Sequence, residues 1–209
     1  MKGYKAFNHD LTCRDYQYVE NQKHIFDGTP VLCESGFHFC ADILDCFKYY
    51  VLKDKPRIFE IEASGIITDQ ENDCTKRSCS EITLVKELSY DEIKQYVTDS
   101  EYAYCWTKGI GDQEHMKQYI TESKWAYYWA SDIGDQEHMK QYVTEPEHAC
   151  YWARHIGDQE HMKQYVTEPE WAYYWARHIG DREYMKQYIT ESKWAYYWAR
   201  HIGDREYMK

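Results

Sequence analysis

Apolar positions in the second half of the chain return every 23 residues, marked by Trp106, Trp129, Trp152, Trp175 and Trp198. The stretch WAYYWARHIGDREYMK occurs twice, from Trp171 and from Trp194. Within one unit Trp125, Ala126, Trp129, Ala130 and Ile133 fall at i, i+1, i+4, i+5 and i+8, which is one face of an α-helix. Gly134 ends that helix. Asp135 then caps a shorter one carrying Met139, Tyr142 and Val143 at i, i+3 and i+4. Thr98-x-x-Glu101, Thr144-x-x-Glu147 and Thr167-x-x-Glu170 have the form of capping boxes, and Lys124 and Lys193 leave only the threonine in two copies. Pro146 and Pro169 fall in first turns, where a missing N–H costs nothing. A repeat of this length predicts an α-solenoid of helix pairs, each covering the apolar face of the next.

Residues 1–88 follow a different pattern. Strands are predicted over 2–7, 16–19, 36–40, 57–63 and 81–87, the last with Ile82 and Leu84 on one face. Gly28-Thr29-Pro30 reads as a turn, and 69–80 as an exposed polar loop. Between the strands, Ile43, Leu44, Phe47 and Tyr50 give residues 41–51 helical spacing. The fold class is α+β, with a small antiparallel-sheet domain and one helix over 1–88, followed by the repeats over 89–209. Ser89-x-x-Glu92 starts a lone helix at 89–98, and five units follow, the last incomplete. No Gly/Ser linker separates the parts, so a rigid join is expected.

Charge narrows the partner. The net charge is −11, and both parts are acidic, which argues against nucleic acid, whose affinity rests on basic groups. No apolar run approaches the roughly 20 residues that span a bilayer, and the start MKGYKAFNHDLTC has no signal-like apolar segment. The eight cysteines then read as free thiols in a reducing cytoplasm. Cys33, Cys40 and Cys46 are spaced too irregularly for a zinc finger, and Cys74 and Cys79 lack a second pair. The recurring Asp-Gln-Glu-His places His115, His138 and His161 one to a unit, replaced by Tyr184 and Tyr207 in the last two. Stacked helices stand about 8–10 Å apart, whereas zinc needs ligands at about 2.0–2.1 Å, so no metal and no cofactor is expected.

Two surfaces of the repeats are candidate binding sites. Tyr104, Tyr127, Tyr173 and Tyr196 lie two residues before the core tryptophans, and one turn on come Arg154, Arg177 and Arg200 with His155, His178 and His201. Repetition would align them as an outward ridge rich in the residues of binding hot spots; the alternative is that these tyrosines pack between adjacent units. The chain stops at Lys209 within the second helix of the fifth unit. Trp198, Ile202 and Met208 would then form an apolar end-face that meets a partner or a second copy, or the natural chain is longer.

The run KGYKAFN, CRDYQY, CESGFHFC, FKYY, IFEIEASG, EITLVKEL over residues 1–88 resembles an uncharacterised domain of phage and prophage proteins, with ESGFHFC its most specific part. The repeats resemble helical tails of similar period in bacterial and phage proteins. These resemblances imply a prokaryotic or viral origin and a cytoplasmic setting, and bring no known activity. A fainter similarity is to the ADP-ribosyltransferase fold. Gly36-Phe37-His38-Phe39-Cys40, a helix to Tyr49-Tyr50 and a later glutamate, Glu81 or Glu87, follow its order. Tyr4-Lys5 stand where that fold has a first-strand His or Arg, and His38 where it has a stacking tyrosine. The expected function is a non-enzymatic adaptor that inhibits or recruits a host defence protein. The alternatives are an ADP-ribosyltransferase-like or nucleotide-binding cleft using Lys5, His38 and Glu81, with Glu60 beside them, and a self-assembling structural protein.

Overall fold

The computed structural model describes residues 1–69 and 75–203. The chain forms two compact units, Met1–Tyr119 and Ile120–Lys209. The first is α+β and contains seven described strands: β1 (Lys2–Phe7), β2 (Thr12–Cys13), β3 (Tyr16–Gln17), β4 (Lys23–Ile25), β5 (Phe37–Cys40), β6 (Arg57–Asp69) and β7 (Lys76–Leu88). β2 and β3 make a small separate ribbon. The other five form an antiparallel sheet in the order β4-β7-β5-β1-β6, and β6 pairs β7 as well. Pairings β6–β1, β1–β5, β5–β7 and β7–β6 therefore close a ring, narrowest where Tyr4 faces Cys40. Register shifts between Glu60 and Ile61 and between Ser64 and Ile67 give β6 the bends that closure needs.

Alternation builds the interior of that ring. Phe59, Ile61 and Ala63 of β6 and Ile82 and Leu84 of β7 are buried, with Phe7, Phe37 and Phe39 completing the core. β1 and β5 approach so closely at Gly3 that a Cβ there would sit 2.5 Å from the Phe39 ring. Two expectations need correction. Residues 41–51 do not form an α-helix but 3-10 turns, Leu44–Lys48 and then Leu52–Asp54. The Asp42 carboxylate accepts the Leu44 N–H at 2.8 Å, and extended Val51 (φ −72°, ψ 124°) interrupts the coil. The polar stretch 76–80 is strand rather than loop, because β5 supplies a partner and buries Ser78 and Cys79 completely. Residues 70–74, with Cys74, lie outside the described residues.

Helices follow β7 directly. α1 (Tyr90–Ile93) begins on the expected capping box, Ser89 and Glu92 each bonding the other's backbone. α2 (Ser100–Gly109) and α3 (Gln113–Met116) complete the first unit, each short helix running on into a 3-10 turn. The first repeat indole, Trp106, packs on sheet-domain neighbours. Its ring lies 6.5 Å from Phe47 and 5.7 Å from Tyr90, whose hydroxyl donates to Pro56 O at 2.8 Å.

The second unit is helical throughout its described part: α4 (Ser123–Asp132), α5 (Gln136–Met139), α6 (Pro146–His155), α7 (Gln159–Met162), α8 (Pro169–His178), α9 (Arg182–Lys186) and α10 (Ser192–His201). The ten-residue helices pack in series, α4 on α6, α6 on α8 and α8 on α10. Helices this short are marginal alone in water. Trp129, Trp152, Trp175 and Trp198 are each 1% exposed, and burying an indole contributes about 4–6 kcal/mol before entropy is counted. Ala126, Ala149 and Ala172, fully buried, let neighbouring helices approach.

Capping differs from the sequence pattern. The N-cap positions belong to Glu122, Glu145, Glu168 and Glu191, not to the threonines, and none of these side chains caps the N–H groups of its own helix. Instead the Glu145 N–H donates to Ser123 Oγ of the preceding unit at 3.1 Å. Pro146 and Pro169 sit in first turns as expected. Asp135, Asp158 and Asp181 hold left-handed backbone beside a positive-φ glycine and do not cap by side chain. The carboxylates of Asp158 and Asp181 reach Lys140 (3.5 Å) and Lys163 (3.2 Å) of the previous unit. The final short helix expected after Gly203, with Tyr207 and Met208, lies outside the described residues.

Candidate functional site

The long helices of the second unit carry a run of touching rings on one side. Trp125 lies against Tyr128, Tyr127 against Tyr151, Tyr151 against Trp171, Trp171 against Tyr174, Tyr174 against Trp194 and Trp194 against Tyr197, with centroids 5.6–6.0 Å apart. Tyr151, Tyr174 and Tyr197 each stack on a histidine one turn on: His155, His178 and His201. The 23-residue period sets these rings in register.

Within this ladder the tyrosines two residues before each tryptophan have a structural task. Tyr127 and Tyr173 were expected on an outward ridge, but they are only 8% and 3% exposed. Each hydroxyl reaches the histidine Nδ1 of the next unit: Tyr127 to His155 at 2.7 Å, Tyr173 to His201 at 2.6 Å. Tyr104 is half-buried, and Tyr196 alone of the four is open, at 52%. Arg177 and Arg200 donate to the Tyr173 and Tyr196 hydroxyls at 3.0 and 3.2 Å, and Arg154 is exposed. Besides Tyr196, the rings of Tyr128 and Tyr174 reach solvent, and the alignment of residue types passed these two over.

One unit breaks the pattern. Where its neighbours have Tyr127 and Tyr173, the third unit has Cys150, whose thiol reaches Trp171 O at 3.6 Å. A hollow of about 350 Å³ opens there, walled by Cys150, Tyr151, Arg154, Glu170, Trp171, Tyr174, Trp175, His178 and Ile179. By the same geometry His178 would be the acceptor for a tyrosine at position 150. Burial and the charges of Arg177 and Arg154 hold His178 below the usual histidine range, so it lines the hollow as a neutral ring. Burial raises the Cys150 thiol to about 12, so it is not a thiolate. The sequence does mark this site, but as a departure from the repeat rather than a recurrence of it.

The end-face residues divide. Trp198 is 1% exposed, Ile202 is half-buried, and Met208 lies outside the described residues. His115, His138 and His161 pack edge-on against Tyr119, Tyr142 and Tyr165, each at 5.7 Å. Among the described residues no group of three or more His, Cys, Asp and Glu could hold a metal ion, and no helix is long and apolar enough to cross a membrane.

The first unit has its own cleft, of about 690 Å³, beside the β1–β5 seam. Aromatic walls come from Tyr16, Tyr18, Phe37, Tyr49 and Tyr50, and Arg14 and Lys76 bring positive charge. Lys5 and His38 meet there: the Lys5 ammonium, 5% exposed, donates to His38 O at 2.8 Å. The His38 ring accepts the Cys33 N–H at 2.8 Å, and burial, with Lys76, Lys5 and Arg14 nearby, lowers it to about 4. Glu81 does not line this cleft; it pairs with Lys23 at 2.6 Å and accepts from Ser64. Glu87 is engaged by Arg57, and Glu60 is absent from the lining.

No curated protein and no solved structure matches the chain. Residues 1–96, which hold the closed sheet, its cleft and the first capped helix, match the family model described as Domain of unknown function (DUF7666).

Proposed function

We propose that this is a binding protein whose helical repeats grip a protein partner at the hollow beside Cys150. The observation that carries this reading is the missing tyrosine. Two neighbouring units fill the equivalent position with a ring bonded to the next histidine, and the third leaves about 350 Å³ open among the half-buried rings of Tyr151 and Trp171 and the exposed ring of Tyr174. Fully desolvated pockets lined by tyrosine, tryptophan and arginine are where interface energy concentrates. An apolar side chain of the partner fills the hollow, and carboxylates flanking it meet Arg154 and Arg177. The acidic remainder of the chain favours a protein over nucleic acid. The likeness of the first part to phage and prophage domains makes a cytoplasmic host protein, such as a defence component, the natural target. Affinity capture from host extract tests this: a protein held by the wild type should be lost from the Arg154→Ala/Tyr174→Ala variant. Equal retention by both removes the site.

A second reading rests on the cleft of the first unit, whose volume, aromatic walls and Arg14 and Lys76 suit a nucleotide. It requires that NAD or a cyclic nucleotide raise the melting temperature, since any ligand of the native state does so. No shift across a nucleotide panel rejects it.

A further inference from the structure

The cleft of the first unit contains a buried cation with no carboxylate beside it. Lys5 Nζ is enclosed by the Phe7 and Tyr18 rings, each 5.3 Å away, and among the described residues it bonds His38 O and the Cys13 thiol, the latter at 3.5 Å. Among the described residues no Asp or Glu makes an ion pair with it. An isolated buried ammonium is costly, so the lysine must lose its proton or gain an anion. Burial pushes the Lys5 ammonium down, and the groups that pull it back up are Cys13, Cys46 and Cys40, all thiols.

Cys13 is the one placed for chemistry. It lines the cleft, it is half-buried rather than sealed, and the Tyr50 hydroxyl donates to its sulfur at 3.2 Å. Cys40 and Cys46 are both buried free thiols, and the Cys46 S–H donates a hydrogen bond to the Cys40 sulfur, which raises Cys46 and lowers Cys40. β1 supplies the lysine, the turn-linked β2 the cysteine and the first 3-10 segment's exit the tyrosine, so the closed sheet itself assembles the trio.

We propose that Cys13 is a nucleophilic thiol, with Lys5 as its base and Tyr50 holding the sulfur, in a cleft that takes small electrophilic ligands bearing an aromatic or apolar group. The Cys13 S–H proton passes to the Lys5 amine, and the sulfur electron pair forms a bond to the electrophilic carbon. With iodoacetamide as the probe, an S–CH₂ bond forms, the C–I bond breaks and iodide leaves with its electron pair. Lys5 then gives the proton to water. A free cysteine is only a few per cent thiolate at neutral pH. Lys5 Nζ, 3.5 Å from the sulfur, is placed to take the proton as the new bond forms.

The test is iodoacetamide labelling at pH 7 followed by peptide mapping, comparing the rate at Cys13 in the native chain and in the guanidinium-unfolded chain. An activated thiol reacts faster folded than unfolded, here by about tenfold, whereas a merely shielded one reacts slower. Lys5→Met, with its fold checked by circular dichroism, should bring the ratio below one. A wild-type ratio at or below one, or native labelling that favours Cys40 over Cys13, overturns the proposal. The wild-type measurement decides even if the variant does not fold.

Discussion

Two side chains, His148 and Cys150, distinguish the third repeat from both of its neighbours, and the second of them opens the hollow. Sequence alone identified the period, the core indoles and the arginines, because each recurs at fixed spacing. It left Tyr127 and Tyr173 open between an outward ridge and packing against the next unit, since a position two residues before a core tryptophan can face either way. Only the contact with His155 or His201 decides between them. Cys150→Tyr should restore the pattern, fill the hollow and bond His178. We expect it to raise stability by about 1 kcal/mol, a gain of about 2–4 °C in thermal unfolding of a chain this size. A loss of stability would mean that the hollow is closed in solution. Lys5 and His38 came together only through the resemblance to the ADP-ribosyltransferase fold, and Cys13 and Tyr50 were not legible: β2 has only two residues, and no spacing rule links it to a 3-10 turn.

At the scale of elements, the repeats depend on a turn that only special backbone can make. Gly157 has φ +120° with nothing within 4 Å of where a methyl group would sit, and the following Asp158 is left-handed. Gly157→Ala therefore isolates backbone strain from any clash and should cost about 1 kcal/mol or more in chemical denaturation. The capping box at Ser89 adds a pH dependence. Lys86 and Ser89 hold Glu92 down to about 2 from its ordinary 4.5, so its contribution is present above 4.5 and lost as pH falls from there toward 2. Acid titration of Glu92→Gln should be flatter than wild type across that window; parallel curves would show that the group carries none of the pH dependence. This box was readable because its pattern is local. At the expected Thr144 box the Glu145 N–H found Ser123 of the preceding unit, a partner 22 residues away that no local motif encodes, and at Thr98 the cap passed to Asp99, which accepts the Tyr102 N–H.

At the scale of the whole chain, two candidate binding surfaces of different kinds are built by different means. A closed antiparallel sheet makes the cleft, and stacking of near-identical units makes the ring ladder. Closure was not legible in the sequence, because it depends on β6 pairing with both β1 and β7 and on polar residues 76–80 joining the sheet. The period of the repeat and its buried indoles were legible, because its contacts run between neighbours of fixed separation. The hollow beside Cys150, as the seat of the partner, is the feature on which the proposed function stands. The most direct measurement is quantitative affinity capture with wild type and with Cys150→Tyr, a change that adds a ring and removes no surface charge. A partner retained by the wild type and lost from a variant of equal or higher melting temperature is the expected result. The same partner held equally by both would contradict it.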